Sequence, residues 1–327
     1  MENKYIDILQ AARFIDTDIK QPEPIITING KTIATEGNFI TINGLPKSRK
    51  TTFSFFFLAA ALRKKSIFGI DVKLKDNEKA LFIDTEQSVY DFSRQVKTLK
   101  YLIKSKTLPP NFDAYLFRKY EPNEILASTY ELIKEQRPKI VFLDNLTELV
   151  VNPNDMQESK VVIQWLKRVT SEFNCIIVCL LHLSKNNLQS LGNLGSYADR
   201  GAQTVLKVTL DKETQTSTLE ASLMRSDAFF EPITVFYNED TKQYDQTETT
   251  APKSKKRFVL MDLKDEDHNN RLNVVFNNRK DIVYNEIIEE LKKIYGVGTN
   301  IAKQQILPYL LGNKFLRSEK GVYNLNK

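Results

Sequence analysis

Gly44-Leu45-Pro46-Lys47-Ser48-Arg49-Lys50-Thr51-Thr52 is the stretch on which the reading of this chain turns. A β-prone run, Asn38-Phe39-Ile40-Thr41-Ile42-Asn43, precedes it, and an apolar, helix-like run from Phe53 to Leu62 follows. Strand, glycine loop, lysine, threonine and helix is the order of a phosphate-binding loop, G-x-x-x-x-G-K-[ST]. A loop that opens a helix presents backbone N–H groups and the positive end of the helix dipole to an anion. The candidate phosphate-binding residues are therefore Gly44, Pro46, Lys47, Ser48, Arg49, Lys50, Thr51 and Thr52. Lys50 would reach the β- and γ-phosphates, and the Thr51 hydroxyl would hold Mg²⁺. One position departs from the pattern: Arg49 stands where the second glycine is expected. Glycine there tolerates unusual dihedrals and lets backbone approach phosphate. Arginine would strain the loop, crowd the nucleotide or add a guanidinium against a phosphate oxygen.

Acids end two further apolar runs. Asp84, Glu86 and Gln87 follow Leu81-Phe82-Ile83, and Asp144 closes Ile140-Val141-Phe142-Leu143. In a parallel sheet, ligands bind outside the carboxyl ends of the strands, so these acids are expected to share a crevice with Lys50. Asp144, after four apolar residues, has the character of a Walker B acid that holds Mg²⁺. Glu86 is expected to orient the attacking water. His182 follows another apolar run and would sense the γ-phosphate, relaying hydrolysis to the loop Ser184–Arg200. Arg225 ends a β-like stretch and could act as an arginine finger on a neighbouring subunit's nucleotide, with Arg200 as a second choice.

Near-continuous apolar strands alternate with helical patterns from residue 38 to residue 181, which predicts an α/β fold with a parallel sheet covered on both faces. Consecutive antiparallel strands follow, near residues 205–210, 216–223 and 233–237. The expected organisation is an N-terminal helix and hairpin over 1–37, a core over 38–239, a linker and uncertain segment over 240–280, and a separate unit over 281–327. In that last unit, helix, turn, helix and hairpin come in the order of a winged helix. Its basic residues Lys303, Lys314, Arg317 and Lys320 are the candidate DNA contacts.

Composition agrees with two folded domains in 327 residues, 41% of them hydrophobic. The net charge of +6 fits a nucleic-acid partner without requiring one. Cys175 and Cys179 fall in one apolar run and read as buried thiols, with neither zinc spacing nor a disulfide framework. A reducing, cytoplasmic setting fits that pattern. No basic-then-apolar leader opens the chain, and no apolar run is long enough for a membrane span.

Taken in order, G-L-P-K-S-R-K-T-T, F-I-D-T-E-Q, I-V-F-L-D-N, L-L-H-L-S-K and a late strand ending in M-R resemble RecA-fold P-loop ATPases of the RepA/DnaB-like branch, carried by plasmids, phages and mobilizable elements. The resemblance spans about residues 25–240. It implies a RecA-like core, Mg-ATP hydrolysis between subunits of a ring or filament, and action on DNA. Lys50 and Thr51 then match the phosphate and magnesium residues, Glu86 the catalytic glutamate, Asp144 the Walker B acid and His182 the sensor. Arg225 matches the finger strand, although Leu223 stands where a companion basic residue is often found. The expected function is a DNA-associated ATPase of helicase-like or replication/mobilization type. Two alternatives stay open: a non-hydrolysing, nucleotide-gated DNA-binding regulator, and a signalling or assembly ATPase with no nucleic acid.

Overall fold

The structure is a computed structural model. It describes residues 2–15, 20–184, 190–241, 243–247, 263–277, 279, 281–297, 299–319 and 321–326. The chain divides into two units, Met1–Ala251 and Pro252–Lys327.

The first unit opens with α1 (Glu2–Ala12), then β1 (Pro24–Ile28) and β2 (Lys31–Thr35), a hairpin turned at Asn29-Gly30. There follow β3 (Phe39–Gly44), α2 (Lys50–Arg63), β4 (Ile70–Val72), β5 (Ala80–Asp84), α3 (Val89–Leu102), β6 (Phe112–Leu116), α4 (Pro122–Gln136) and β7 (Ile140–Asp144). The chain continues through α5 (Met156–Phe173), β8 (Ile176–His182), α6 (Gly192–Gly201), β9 (Thr204–Leu210), β10 (Thr216–Met224), β11 (Ile233–Asn238) and β12 (Gln243–Gln246). Among the described residues, nine strands make one sheet in the order β12-β11-β10-β9-β3-β8-β7-β5-β6. From β9 to β6 the pairings are parallel, and β10 to β12 extend the sheet antiparallel. A parallel sheet needs helices on both faces. On one face α2 packs Phe55 against Phe82, which stacks on Phe142 with centroids 6.0 Å apart. On the other, α5 lays Val162, Leu166 and Val169 over Val141, Leu143 and Ile177.

Helix α2 is buried almost all round, with Phe53, Phe56 and Phe57 fully enclosed. A helix that is hydrophobic on every side belongs inside a core. The glycine loop is thus mounted on the most deeply seated helix of the fold.

Three features differ from the sequence expectation. Residues 192–201 form helix α6, because Leu194 and Ala198 find a buried face beside α5. Ile70–Val72 form β4, which pairs with β1. The segment 240–280 is not simply a linker. β12 joins the large sheet, with Tyr244 against Phe56, and α7 (Asp265–Val275) belongs to the second unit. Residues 248–262, including the β-like run at 258–263 up to residue 262, lie outside the described residues.

After α7 the second unit carries β13 (Ile282–Val283), α8 (Tyr284–Tyr295), α9 (Thr299–Ile301), a π-helical turn Ala302–Ile306, α10 (Leu307–Gly312), β14 (Leu316–Glu319) and β15 (Val322–Leu325). The strands pair in the order β13-β15-β14, all antiparallel. Leu272, Val275 and Phe276 of the α7 segment share a core with Ile287, Leu291, Ile306, Leu310 and Leu316. The π turn precedes Pro308, which has no N–H to give, and the Leu307 N–H reaches back to Ala302.

If α7 is part of this core, Leu272→Ala should destabilise the second unit by about 2–5 kcal/mol. In a thermal melt of the full chain followed by circular dichroism, the second unit's transition should fall while the first unit's stays. An unshifted melt would return α7 to the linker.

Candidate active site

Register brings the sequence candidates to one edge. Gly44 of β3 lies opposite His182 of β8, and Asp84 of β5 opposite Asp144 of β7. The carboxyl ends of the parallel strands therefore finish level, and the loops leaving them converge.

Gly44 is required by close approach. A Cβ there would lie 2.8 Å from the Val208 carbonyl oxygen of β9 and 2.4 Å from Ser48 Oγ. The loop then turns through two left-handed residues, Lys47 (φ 64°) and Arg49 (φ 72°). Arg49 thus adopts the conformation for which glycine is the usual residue, at a cost of about 1–2 kcal/mol. Its guanidinium turns away from the loop's mouth and toward the β9–β10 turn. It donates to the Gln215 carbonyl at 2.8 Å, and to Ser217 Oγ and Gln215 Oε1 at 3.3 Å each. It braces the loop against the neighbouring hairpin.

Lys50 is 6% exposed. Its ammonium donates to the carbonyls of Gly44 (3.1 Å) and Leu45 (3.2 Å) and to His182 Nδ1 (3.1 Å). With Nδ1 accepting, the imidazole proton sits on Nε2, which donates to Glu86 Oε1 at 3.0 Å. Asn145 Nδ2 donates to the same oxygen at 2.8 Å. Burial pulls the Lys50 pKa down, opposed by the charges of Asp144 and Glu86. The His182 hydrogen bond holds the Glu86 pKa below its ordinary value against desolvation.

Asp144 accepts from Thr51 Oγ1 at 2.6 Å. Burial raises its pKa to about 7, and Asp84 and Glu86 add repulsion. Asp84 has a structural task. Its carboxylate accepts from the backbone N–H groups of Glu86 and Gln87 and from Gln87 Nε2, which sets the turn that aims Glu86. Thr85 ties the strand ends together, accepting from Asn145 N and donating to the Asp144 carbonyl. Asn145 and Thr85 were not singled out in the sequence. The signal for both is position, each being the residue directly after a strand-end acid.

A cavity of about 770 Å³ opens beside the loop, with Lys47, Thr52, Glu86, Asp91, Arg94 and Arg118 in its walls. Pro46 is exposed at the turn, and Ser48 is buried. Arg225 is not in this cluster. Met224 pairs with Thr204, at the opposite end of β9 from Val208, which pairs with Gly44. The Arg225 guanidinium donates to the Arg200 carbonyl of its own chain. Arg200 itself lies over the Tyr197 ring. Lys303, Lys314 and Arg317 belong to the second unit, and Lys320 lies outside the described residues.

Two outcomes follow from the buried charges and the brace. The folded-state pKa of Asp144 lies above its unfolded value, so the carboxyl's contribution to stability is whole below about pH 4 and is lost as pH rises to about 7. Asp144→Asn should therefore stabilise the nucleotide-free protein at pH 8 by about 1–3 kcal/mol and leave it unchanged near pH 4, as chemical denaturation at the two pH values would show. For Arg49, alanine keeps the left-handed strain and loses the brace, whereas glycine loses both. Nucleotide affinity by titration calorimetry should fall by about tenfold in Arg49→Ala and by less in Arg49→Gly, given about 1.5 kcal/mol for a charged hydrogen bond. Equal affinity in wild type and Arg49→Ala would leave the brace without function.

No curated protein sequence matches the chain. Among solved structures, a KaiC-like protein from the hyperthermophilic archaeon Pyrococcus horikoshii OT3 is 15% identical, covering 70% of this chain and 98% of that one at a TM-score of 0.47. The model of the family described as AAA domain matches residues 7–187, more than half of the chain. With its glycine loop, mixed central sheet and converging strand ends, the chain belongs to the AAA domain family and has a RecA-like P-loop NTPase fold.

Proposed function

We propose that this protein hydrolyses Mg-ATP at the loop Gly44–Thr52 and acts on DNA. The observation that carries the first part is the hydrogen-bonded series Lys50–His182–Glu86 beside Asp144–Thr51, all at one sheet edge. Lys50 and the loop's N–H groups bind the β- and γ-phosphates. A phosphate oxygen competes for the ammonium with the carbonyls and imidazole it now contacts. Glu86, kept ionised by its hydrogen bonds, accepts a proton from the attacking water. His182, bridging Lys50 and Glu86, reports the phosphate to the loop that follows it.

The residues fit Mg²⁺. A hydroxyl and a buried carboxylate stand 2.6 Å apart, both hard oxygen donors, and a hard octahedral ion takes its remaining ligands from water and phosphate. Thr51 and Asp144 would hold it, and it would neutralise charge on the phosphates. Base and ribose have room in the cavity beside Arg94 and Arg118. Arg225 can act as a finger only on a neighbouring copy's nucleotide, which ties that role to self-association in a ring or filament.

The DNA part rests on the second unit. Its order, helix, strand, helix, helix and β-hairpin, is that of a winged helix. The run Thr299–Gly312 would be the recognition helix, with Lys303 on it and Lys314 and Arg317 at the hairpin. Helicase, replication and mobilization roles, and membership of the RepA/DnaB-like branch, belong to this proposal.

The test is magnesium-dependent ATP turnover with and without single-stranded DNA. Glu86→Gln should lower turnover by about 10²- to 10⁴-fold while retaining ATP binding, and Lys50→Ala should lose binding. Equal turnover in wild type and Lys50→Ala would overturn the site. Binding without turnover in the wild type would establish the nucleotide-gated regulator instead.

A further inference from the structure

Charges on the described helices are mostly mixed. On α8, Glu289 pairs with Lys292 and Glu290 with Lys293, and on α4 Glu131 pairs with Lys134. Helix α3 and the turn after it break this pattern. Between Phe92 and Phe112 there are five cations, Arg94, Lys97, Lys100, Lys104 and Lys106, and no carboxylate. None of the five is in an ion pair among the described residues.

Spacing sorts these residues onto one face. Tyr90, Arg94, Lys97 and Tyr101 recur at intervals of four, three and four, which is one side of α3, and Lys104 follows in the turn two residues past the helix end. On the helix the stripe runs about 16 Å at 1.5 Å per residue. The opposite side is anchored, with Phe92 and Leu99 buried in the core that α2 shares. The outer side carries two open aromatic rings, Tyr90 at 72% and Tyr101 at 47% exposure. Arg94 also lines the cavity beside the glycine loop, and so does Arg118. Next to Arg118 stand Lys119 and the exposed Tyr120, with the ammonium 5.2 Å from the ring centroid.

We infer that this stripe binds single-stranded nucleic acid along α3, as a second contact surface on the ATPase unit distinct from the one proposed on the C-terminal unit. Unpaired cations at helical intervals meet successive phosphates, and a tyrosine face accepts an unstacked base of any identity. An anionic membrane would call for aliphatic side chains pointing outward. On α3, Val96, Leu99 and Leu102 are instead packed inward, and Val89 at its first position is the single aliphatic side chain that faces out. A duplex offers no open base for Tyr90 and Tyr101. The stripe begins two residues after Ser88, in the segment that leaves Glu86, so a bound strand lies next to the nucleotide cavity.

The experiment is fluorescence anisotropy of a labelled dT oligomer of about 20 nucleotides, long enough for one site, titrated with the full chain over a range of salt. The Lys97→Ala/Lys104→Ala double variant should bind at least tenfold more weakly. Its salt slope should drop by about 1.4, at about 0.7 per phosphate contact on a single strand. Tyr101→Ala should bind about fivefold or more weakly with its salt slope unchanged, which a merely electrostatic surface would not show. All three side chains are exposed, two on α3 and Lys104 in the turn after it, and circular dichroism checks the fold. Unchanged affinity and slope in both variants would overturn the inference, as would a wild-type chain that does not bind the oligomer. Loss of binding only in a Lys303→Glu/Lys314→Glu/Arg317→Glu variant would place all single-strand contact on the second unit and overturn it too. Oligomer-free ATP turnover, followed in the same double variant, belongs to the separate question of hydrolysis. If the double variant instead loses binding to anionic vesicles or to an acidic peptide while the oligomer still binds, the partner is not nucleic acid.

Discussion

A buried ammonium shared among two carbonyl oxygens and an imidazole, in the field of two nearby carboxylates, is the interaction on which this site depends. Lys50 is removed from water, and burial works against its charge. Asp144 is also buried, and burial works against that charge as well. Neither group would be stable alone in such a place. They persist because the loop carbonyls, Thr51 and His182 satisfy them. The arrangement is closed on itself in the absence of phosphate, so an anion entering it meets a cation already placed and partly desolvated. Preorganised charge of this kind is the main means by which a protein assists phosphoryl transfer.

The support for that charge is mechanical. The loop is anchored to α2, whose four phenylalanines are enclosed in close-packed core. Gly44 lies against the Val208 carbonyl, so β9 sets the loop's entry. Arg49 reaches the turn at the same end of that hairpin, so β9 and the β9–β10 turn hold the loop at both its start and its finish. A glycine at residue 49 would make the backbone conformation easier to adopt and would leave it unbraced. This chain has the opposite balance, a strained dihedral offset by guanidinium hydrogen bonds.

Much of this was legible in the sequence because it rests on local pattern. Apolar runs ending in an acid or a histidine identify strands whose carboxyl ends face one edge, and the structure gathers Lys50, Thr51, Glu86, Asp144 and His182 there. What was not legible depends on contacts between distant segments. Arg49 meets Gln215 across 166 residues, and no periodicity records that. Asn145 acquires its role only because Glu86 arrives from another strand. Helix α7 is hidden by composition. Its sequence, D-E-D-H-N-N-R-L-N-V-V, has few apolar residues, and Leu272 and Val275 suffice only because a core is waiting for them. The short strand β4 exists because β1 offers an unpaired edge.

The distribution of surface charge follows from the same reasoning. Where opposite charges alternate along a helix, as on α8, each neutralises its neighbour, and the face needs nothing but water. Five cations in succession on α3 and the turn after it repel one another, and the three on the helix lower its own stability. The helix tolerates this because Phe92 and Leu99 fasten it to the core. A repulsion that contributes nothing to folding, held in place by packing and interleaved with exposed tyrosines, is a field directed outward. Its sign and its rings define what can neutralise it, a chain that carries negative charge at regular intervals and flat faces between them.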